Sequence, residues 1–266
     1  MAEESLRFLG RDGGFWHVTL GLVLLSLFLA SIILQVTSPT RIVIDRVPAN
    51  GVALIDELSS SYSDPAFVEQ LRQTVEGAGF WFKYYAPADV TVPLFWALPA
   101  LGYEVVVIRA HSTGWFSGDK ITIFTGETYQ KGKYYLEQVR GFVSSASTFE
   151  NSQLYFTITP QFVQKMSQGK FPGTIVVMMG CNGLKNNQMA SAFKDKGASA
   201  YVGWDEQVYA RRSDLAALAL VQALFEKHVA LADALPYAMG QTGADSLYRS
   251  ELRLYPDSGK TVSVQL

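Results

Sequence analysis

The sequence predicts an α/β domain with a mainly parallel sheet, preceded by one N-terminal transmembrane helix. Three observations lead there. No Asp, Glu, Lys or Arg occurs from Gly13 to Thr40. Beyond that run, short apolar segments such as EVVVIRA (Glu104–Ala110) and TIVVMMG (Thr174–Gly180) read as strands buried on both faces. Segments with helical start and stop signals separate them, and strand–helix alternation implies parallel strands joined by crossovers.

Residues 1–14 form an N-terminal tail. Residues 15–36, FWHVTLGLVLLSLFLASIILQV, supply the ~20 apolar residues that span a bilayer, with Phe15 and Trp16 suited to its interface. A cleaved signal peptide has an apolar core of ~7–15 residues and a small-residue cleavage site, which the ending ILQVTSPT lacks. Arg7 and Arg11 before the span balance Arg41 and Arg46 after it. The short tail then favours an internal N-terminus and an extracytoplasmic soluble domain. Residues 37–50 are a stalk broken by Pro39 and Pro48, and residues 51–266 are the domain.

In the domain, GVALIDEL (Gly51–Leu58) is a first strand closing on Asp56, a site-edge position with no partner evident. Asp64 as cap and Pro65 at the first helical position start a helix through Val75, which Gly77-Ala78-Gly79 ends. Phe80–Tyr85 is a second strand, Leu94–Leu101 a helix interrupted at Pro99, and Glu104–Ala110 a third strand. From Ser112 to Lys170 the pattern is less regular. KITIFTGETY reads as a hairpin arm, YYLEQVRGFV as a short helix, QLYFTIT as a strand, and Thr159-Pro160 as a helix start. Thr174–Gly180 is a strand, and a helix over Asn187–Lys196 ends at Gly197. Ala200–Trp204 is a strand, Ser213–Val229 an amphipathic helix, and ELRLYPDSGKTVSV a closing hairpin.

A net charge of -2 leaves no concentrated cationic surface for phosphate backbones, so nucleic acid is not an expected partner. One cysteine and three histidines make no metal-site spacing. Gly77-Ala78-Gly79 lies between a helix and a strand, the reverse of a dinucleotide-binding order. Neither metal nor cofactor is expected. His17, at the edge of the span, reads as interfacial, and His228, on the amphipathic helix, as structural.

Two reactive residues follow strand ends, where ligands bind in open α/β sheets. His111 follows VVVIRA, and Cys181 follows IVVMMG. A thiol becomes a strong nucleophile once deprotonated, and an imidazole can take that proton and later return it to a leaving group. Cys181 stands in a Gly/Asn loop ahead of a helix, whose N-terminus lowers a thiol pKa and whose amides can hold an oxyanion. The plainer readings are a small buried hydrophobe for Cys181 and a loop cap for His111. Trp115 and Phe116 suit a pocket rim.

VVVIRAHSTG, TIVVMMGC and MASAFKDKGASAYVGW, in that order, resemble the caspase-like cysteine peptidases, above all their gingipain-like and CHAT-domain branches. VQALFEKHVALADALPYAM is similar to the closing helices of that family, so the resemblance covers about Gly51–Met239. It implies a caspase-like three-layer sandwich, with the general acid/base at His111 and the nucleophile at Cys181. It also implies substrate contacts at Ser112 and Gly180, and a side-chain pocket at Gly203-Trp204-Asp205-Glu206. Within that pocket, Trp204 and Asp205 would meet the substrate, and an acid there favours Arg or Lys. The family has Gly where Ser112 stands. The expected function is a membrane-anchored cysteine endopeptidase acting on a peptide or protein after basic residues. The alternative is a non-catalytic module that binds a partner or assembles a membrane complex, and a small-molecule hydrolase or transferase is a third reading.

Overall fold

In a computed structural model of the chain, the described residues are 17, 19–29, 48, 50–113, 120–148 and 152–264. Residues 19–29 are helical, and Leu20, Leu22, Leu24 and Leu25 on them are exposed. Among the described residues no helix is long and apolar enough to cross a membrane. The expected tail at 1–14, the rest of the span at 15–36 and most of the stalk at 37–50 lie outside the described residues.

The domain is built on a six-stranded sheet of order β2-β1-β3-β7-β8-β9. Its members are β1 (Gly51–Asp56), β2 (Trp81–Tyr85), β3 (Val105–Arg109), β7 (Ile175–Met178), β8 (Ala200–Trp204) and β9 (Leu252–Tyr255). All neighbours pair in parallel except β8 with β9. β1, β3, β7 and β8 are buried along their whole length, which is why they read as continuous apolar runs.

Successive strand residues point to opposite faces, and each face carries its own core. On one, Val52, Leu54, Val105, Val107 and Val177 meet α1 (Pro65–Gly77), α5 (Ala210–Phe225) and α6 (Leu231–Thr242). On the other, Ala53, Ile55, Val106, Ile108 and Met178 meet α2 (Val92–Leu101) and α4 (Gln188–Asp195). That second face also packs on a small antiparallel sheet of order β4-β6-β5, formed by β4 (Ile123–Thr128), β5 (Val143–Ser147) and β6 (Leu154–Ile158). The short helix α3 (Tyr135–Val139) precedes β5.

Four expectations change. α2 runs through Pro99 instead of breaking there, because burial of Leu94, Phe95, Leu98 and Leu101 outweighs one lost backbone bond. The residues after the α3 helix form strand β5, which no apolar alternation announces. The helix expected from Pro160 is a π-helical turn, Phe162–Met166, started by the Thr159 hydroxyl accepting the Phe162 N–H at 3.2 Å. The closing hairpin is absent: β9 pairs with β8, and Asp257–Thr261 turns into a 3-10 helix whose Gly259 N–H reaches the Pro256 carbonyl at 2.9 Å.

Candidate active site

The register of β3 on β7 pairs Val105 with Ile175 and Ile108 with Met178, an offset of 70 positions. His111 and Cys181 are separated by the same offset. Each stands three residues beyond the last paired position of its strand, His111 after Ile108 and Cys181 after Met178. The two extensions stay in contact. The Met179 N–H reaches the Ile108 carbonyl at 2.8 Å, and the Ser112 hydroxyl donates to the Cys181 carbonyl. Gly180 is required here, since a Cβ on it would lie 2.3 Å from the Ala110 carbonyl oxygen.

His111 is half-buried, with its ring edge-on to Tyr62 and Phe124 at centroid distances of 6.2 and 5.8 Å. Its N–H donates to Glu57 Oε2 at 2.8 Å, and its carbonyl accepts from the Phe124 N–H at 3.0 Å. Ser112 bridges to Ile123 of β4, flanked by bonds from Thr113 N–H to the Thr122 carbonyl and from Phe124 N–H to the His111 carbonyl. This is the non-hydrogen-bonded kind of antiparallel pair, so the Ser112 N–H points away from β4. Ser112 has no positive φ, and the departure from glycine costs no backbone strain.

Cys181 is half-buried, and its thiol donates to the Val208 carbonyl at 3.5 Å. It opens a tight turn in which Asn182 takes the left-handed conformation at φ 57. Asn182 N–H binds the Glu206 carbonyl, and Leu184 N–H the Trp204 carbonyl, each at 2.8 Å. α4 starts only at Gln188, so its N-terminus does not adjoin the thiol as expected; the turn intervenes.

A buried ion cluster underlies His111. Arg109 is 1% exposed and grips Asp214 with Nε and Nη2 at 2.7 and 2.9 Å. Its Nη1 meets Asp56 Oδ1 at 2.8 Å, and Nη2 also meets the Tyr62 carbonyl at 2.7 Å. Burial alone would lower the pKa of the guanidinium, but Asp214 and Asp56 outweigh it and push the value up. Glu57 and Arg109 were not legible as site residues. Asp56 marked the right edge of the sheet, and its partner is Arg109.

Trp204 and Asp205 lie elsewhere. Trp204 is wholly buried, and its indole N–H donates to the Ser213 hydroxyl at 2.9 Å, which donates on to the Met179 carbonyl at 2.7 Å. The Asp205 carboxylate accepts from the Glu251 N–H at 2.8 Å and from Arg253 Nε at 3.0 Å. Glu206 pairs with Lys185 at 2.7 Å. Gln207, Val208 and Tyr209 line the neighbouring wall instead, together with Tyr248, whose ring packs against Tyr209 at a centroid distance of 5.6 Å.

His111, Ser112, Gly180 and Cys181 all line one cavity of about 890 Å³. Residues 143–148 form another of its walls, and among its described lining Lys120 and Arg140 are charged and no carboxylate is present. Trp115 and Phe116, expected at the rim, lie outside the described residues. Among the described residues no cluster of side chains could hold a metal ion. His111 and Cys181 thus place an imidazole and a thiol on the wall of this cavity. No family model matches this chain, and no curated protein matches it.

Proposed function

We propose that this chain is a membrane-anchored cysteine endopeptidase with a caspase-like three-layer domain, in which Cys181 is the nucleophile and His111 the acid/base. The observation that carries this reading is the parallel pairing of β3 with β7, whose carboxyl ends lead within three residues to His111 and to Cys181. Their shared cavity supports it further. The anchor is residues 15–36, whose helical part at 19–29 exposes its leucines, and the domain lies on the extracytoplasmic side. Peptide or protein substrates then meet the enzyme at the membrane.

In this mechanism the thiol turns from the Val208 carbonyl and passes its proton to the imidazole. The thiolate attacks the scissile carbonyl carbon, and the Ser112 N–H, directed away from β4, supports the oxyanion. Collapse of the tetrahedral adduct breaks the C–N bond, and His111 returns the proton to the leaving amine. Water, deprotonated by the same imidazole, hydrolyses the thioester and restores the thiol. Selection of basic side chains through Asp205 is no part of this reading, because Arg253 and the Glu251 amide already occupy that carboxylate.

The alternative, a non-catalytic module, draws on the thiol–Val208 bond, which only the protonated and unreactive sulfur makes. Labelling with a thiol-reactive acyl-peptide probe separates the two. The full chain should react at Cys181 at least about a hundredfold faster than a free cysteine, and His111→Ala should remove that advantage. A wild-type rate equal to that of an ordinary thiol would leave the binding module as the better account.

A further inference from the structure

We propose that β5 is a docking edge: an extended polypeptide bearing carboxylate side chains pairs with it as an added strand, about six residues from the bond presented to Cys181. The inference rests on the peptidase reading for its last clause, and on the small sheet for the rest.

β5 is the terminal strand in the order β4-β6-β5, so among the described residues nothing pairs with its outer side. Its side chains alternate between faces, and a cavity touching one face would meet every second residue. All of residues 143–148 line the cavity. Phe124, Thr157 and Ser144, level with one another on β4, β6 and β5, line it too, so the open space lies over one face of the small sheet and extends to β5 at its edge, where backbone groups are presented.

The phase of the ladder says which groups these are. The Thr159 N–H bonds the Phe142 carbonyl at 3.1 Å, which makes Ser144 opposite Thr157 and Ala146 opposite Tyr155 the bonded pairs. The N–H and C=O groups of Val143, Ser145 and Ser147 then face away from β6, at the spacing an incoming strand needs. Thr157, wholly buried on the cavity wall, has a hydroxyl with no hydrogen-bond partner among the described residues, and so does the side-chain oxygen of Asn182, next to Cys181. Such groups are costly to leave unmade, and a polar ligand would satisfy them.

Position follows from register. Ser112, Ile123, Ile158 and Val143 stand level across the small sheet. A strand added outside β5 lies four strand spacings of ~4.8 Å from Ser112, the reach of about six extended residues at ~3.3 Å each. Charge follows from the wall, which carries Lys120 and Arg140 and, among its described residues, no carboxylate. A bound chain with Glu or Asp in this segment is complementary to it.

The test measures binding apart from catalysis. Fluorescent dodecapeptides are titrated by anisotropy against the full chain carrying Cys181→Ala, in detergent micelles. A Glu-bearing peptide should bind, and N-methylation of its alternate backbone amides should weaken it about tenfold or more, the weight of two net hydrogen bonds. Ser145→Pro removes an outward N–H at no cost to the β5–β6 ladder and should produce the same loss. Replacing Glu by Lys in the peptide should weaken binding about fivefold, and Arg140→Glu should invert that preference. Indifference to both N-methylation and Ser145→Pro would overturn the docking edge, and equal affinity for Glu and Lys peptides would overturn its charge preference. A tripeptide probe too short to reach β5 tests Cys181 on its own. Edge-dependent binding without labelling removes the peptidase reading and leaves the docking surface standing.

Discussion

Arg109 sits two positions before His111 and is held from three sides, by Asp214, Asp56 and the Tyr62 carbonyl. A buried charge keeps its place only while its partners remain, and losing one exposes the other to the full cost of desolvation. Asp214→Ala should therefore destabilise the chain by about 3 kcal/mol in urea unfolding, at the low end of such losses because Asp56 still serves the guanidinium. A change under about 1 kcal/mol would mean that the cluster is not structural. At this scale the sequence was only half legible. His111 and Cys181 stand out because each follows an apolar strand, and the fold puts both on the wall of one cavity. Glu57 and Arg109 do not, since their partners lie 54 and 105 positions away and no local pattern ties them together. Trp204 and Asp205 were placed by motif at the substrate, but the indole points into the core and the carboxylate serves β9.

Strand ends and loops carry the site at the next scale. On the β7 extension, a Cβ at Gly180 would meet the Ala110 carbonyl at 2.3 Å and Met178 Cε at 2.6 Å. The first neighbour is backbone and cannot yield cheaply, so Gly180→Ala should part the two extensions and slow Cys181 labelling about a hundredfold, with near-normal folding by circular dichroism. Unchanged labelling would show that the close approach is dispensable. The Tyr209 and Tyr248 wall depends on Asp245, whose carboxylate accepts from the N–H groups of Tyr209, Leu247 and Tyr248 at 3.1, 2.9 and 3.0 Å. Burial works to raise the pKa of Asp245, but those amides and Arg212 prevail and hold it below the usual carboxylate range. Its contribution to stability is thus present above the unfolded value near ~4 and lost as pH falls through the folded one. The stability gap between wild type and Asp245→Asn should shrink on acidification below about pH 4; a gap constant from pH 6 to 3 would refute the assignment. Elements buried on both faces were the readable ones. β5, with the sequence VSSAS and only one side paired, has no apolar period to read. The closing hairpin was misjudged because its turn residues serve a 3-10 helix.

Taken whole, the chain divides into residues 1–43 and 44–266. The apolar run without charges in the first unit is the ground for membrane attachment, and the full chain should remain in the pellet after alkaline carbonate extraction, with release into the supernatant as the contrary result. Within the second unit, the pairing of β3 with β7 brings the strand ends that lead into His111 and Cys181 to one edge of the sheet, although 70 positions separate the two residues. The excursion from Thr113 to Thr174, which carries β4, β5 and β6, is tied back at its start, where β4 bonds the His111 carbonyl and bridges Ser112, whereas β5 stands at the far edge of the small sheet. Changes confined to β5 would remake the wall that a substrate of the proposed enzyme would touch without altering the bonds that hold His111, so recognition and chemistry could diverge at separate rates.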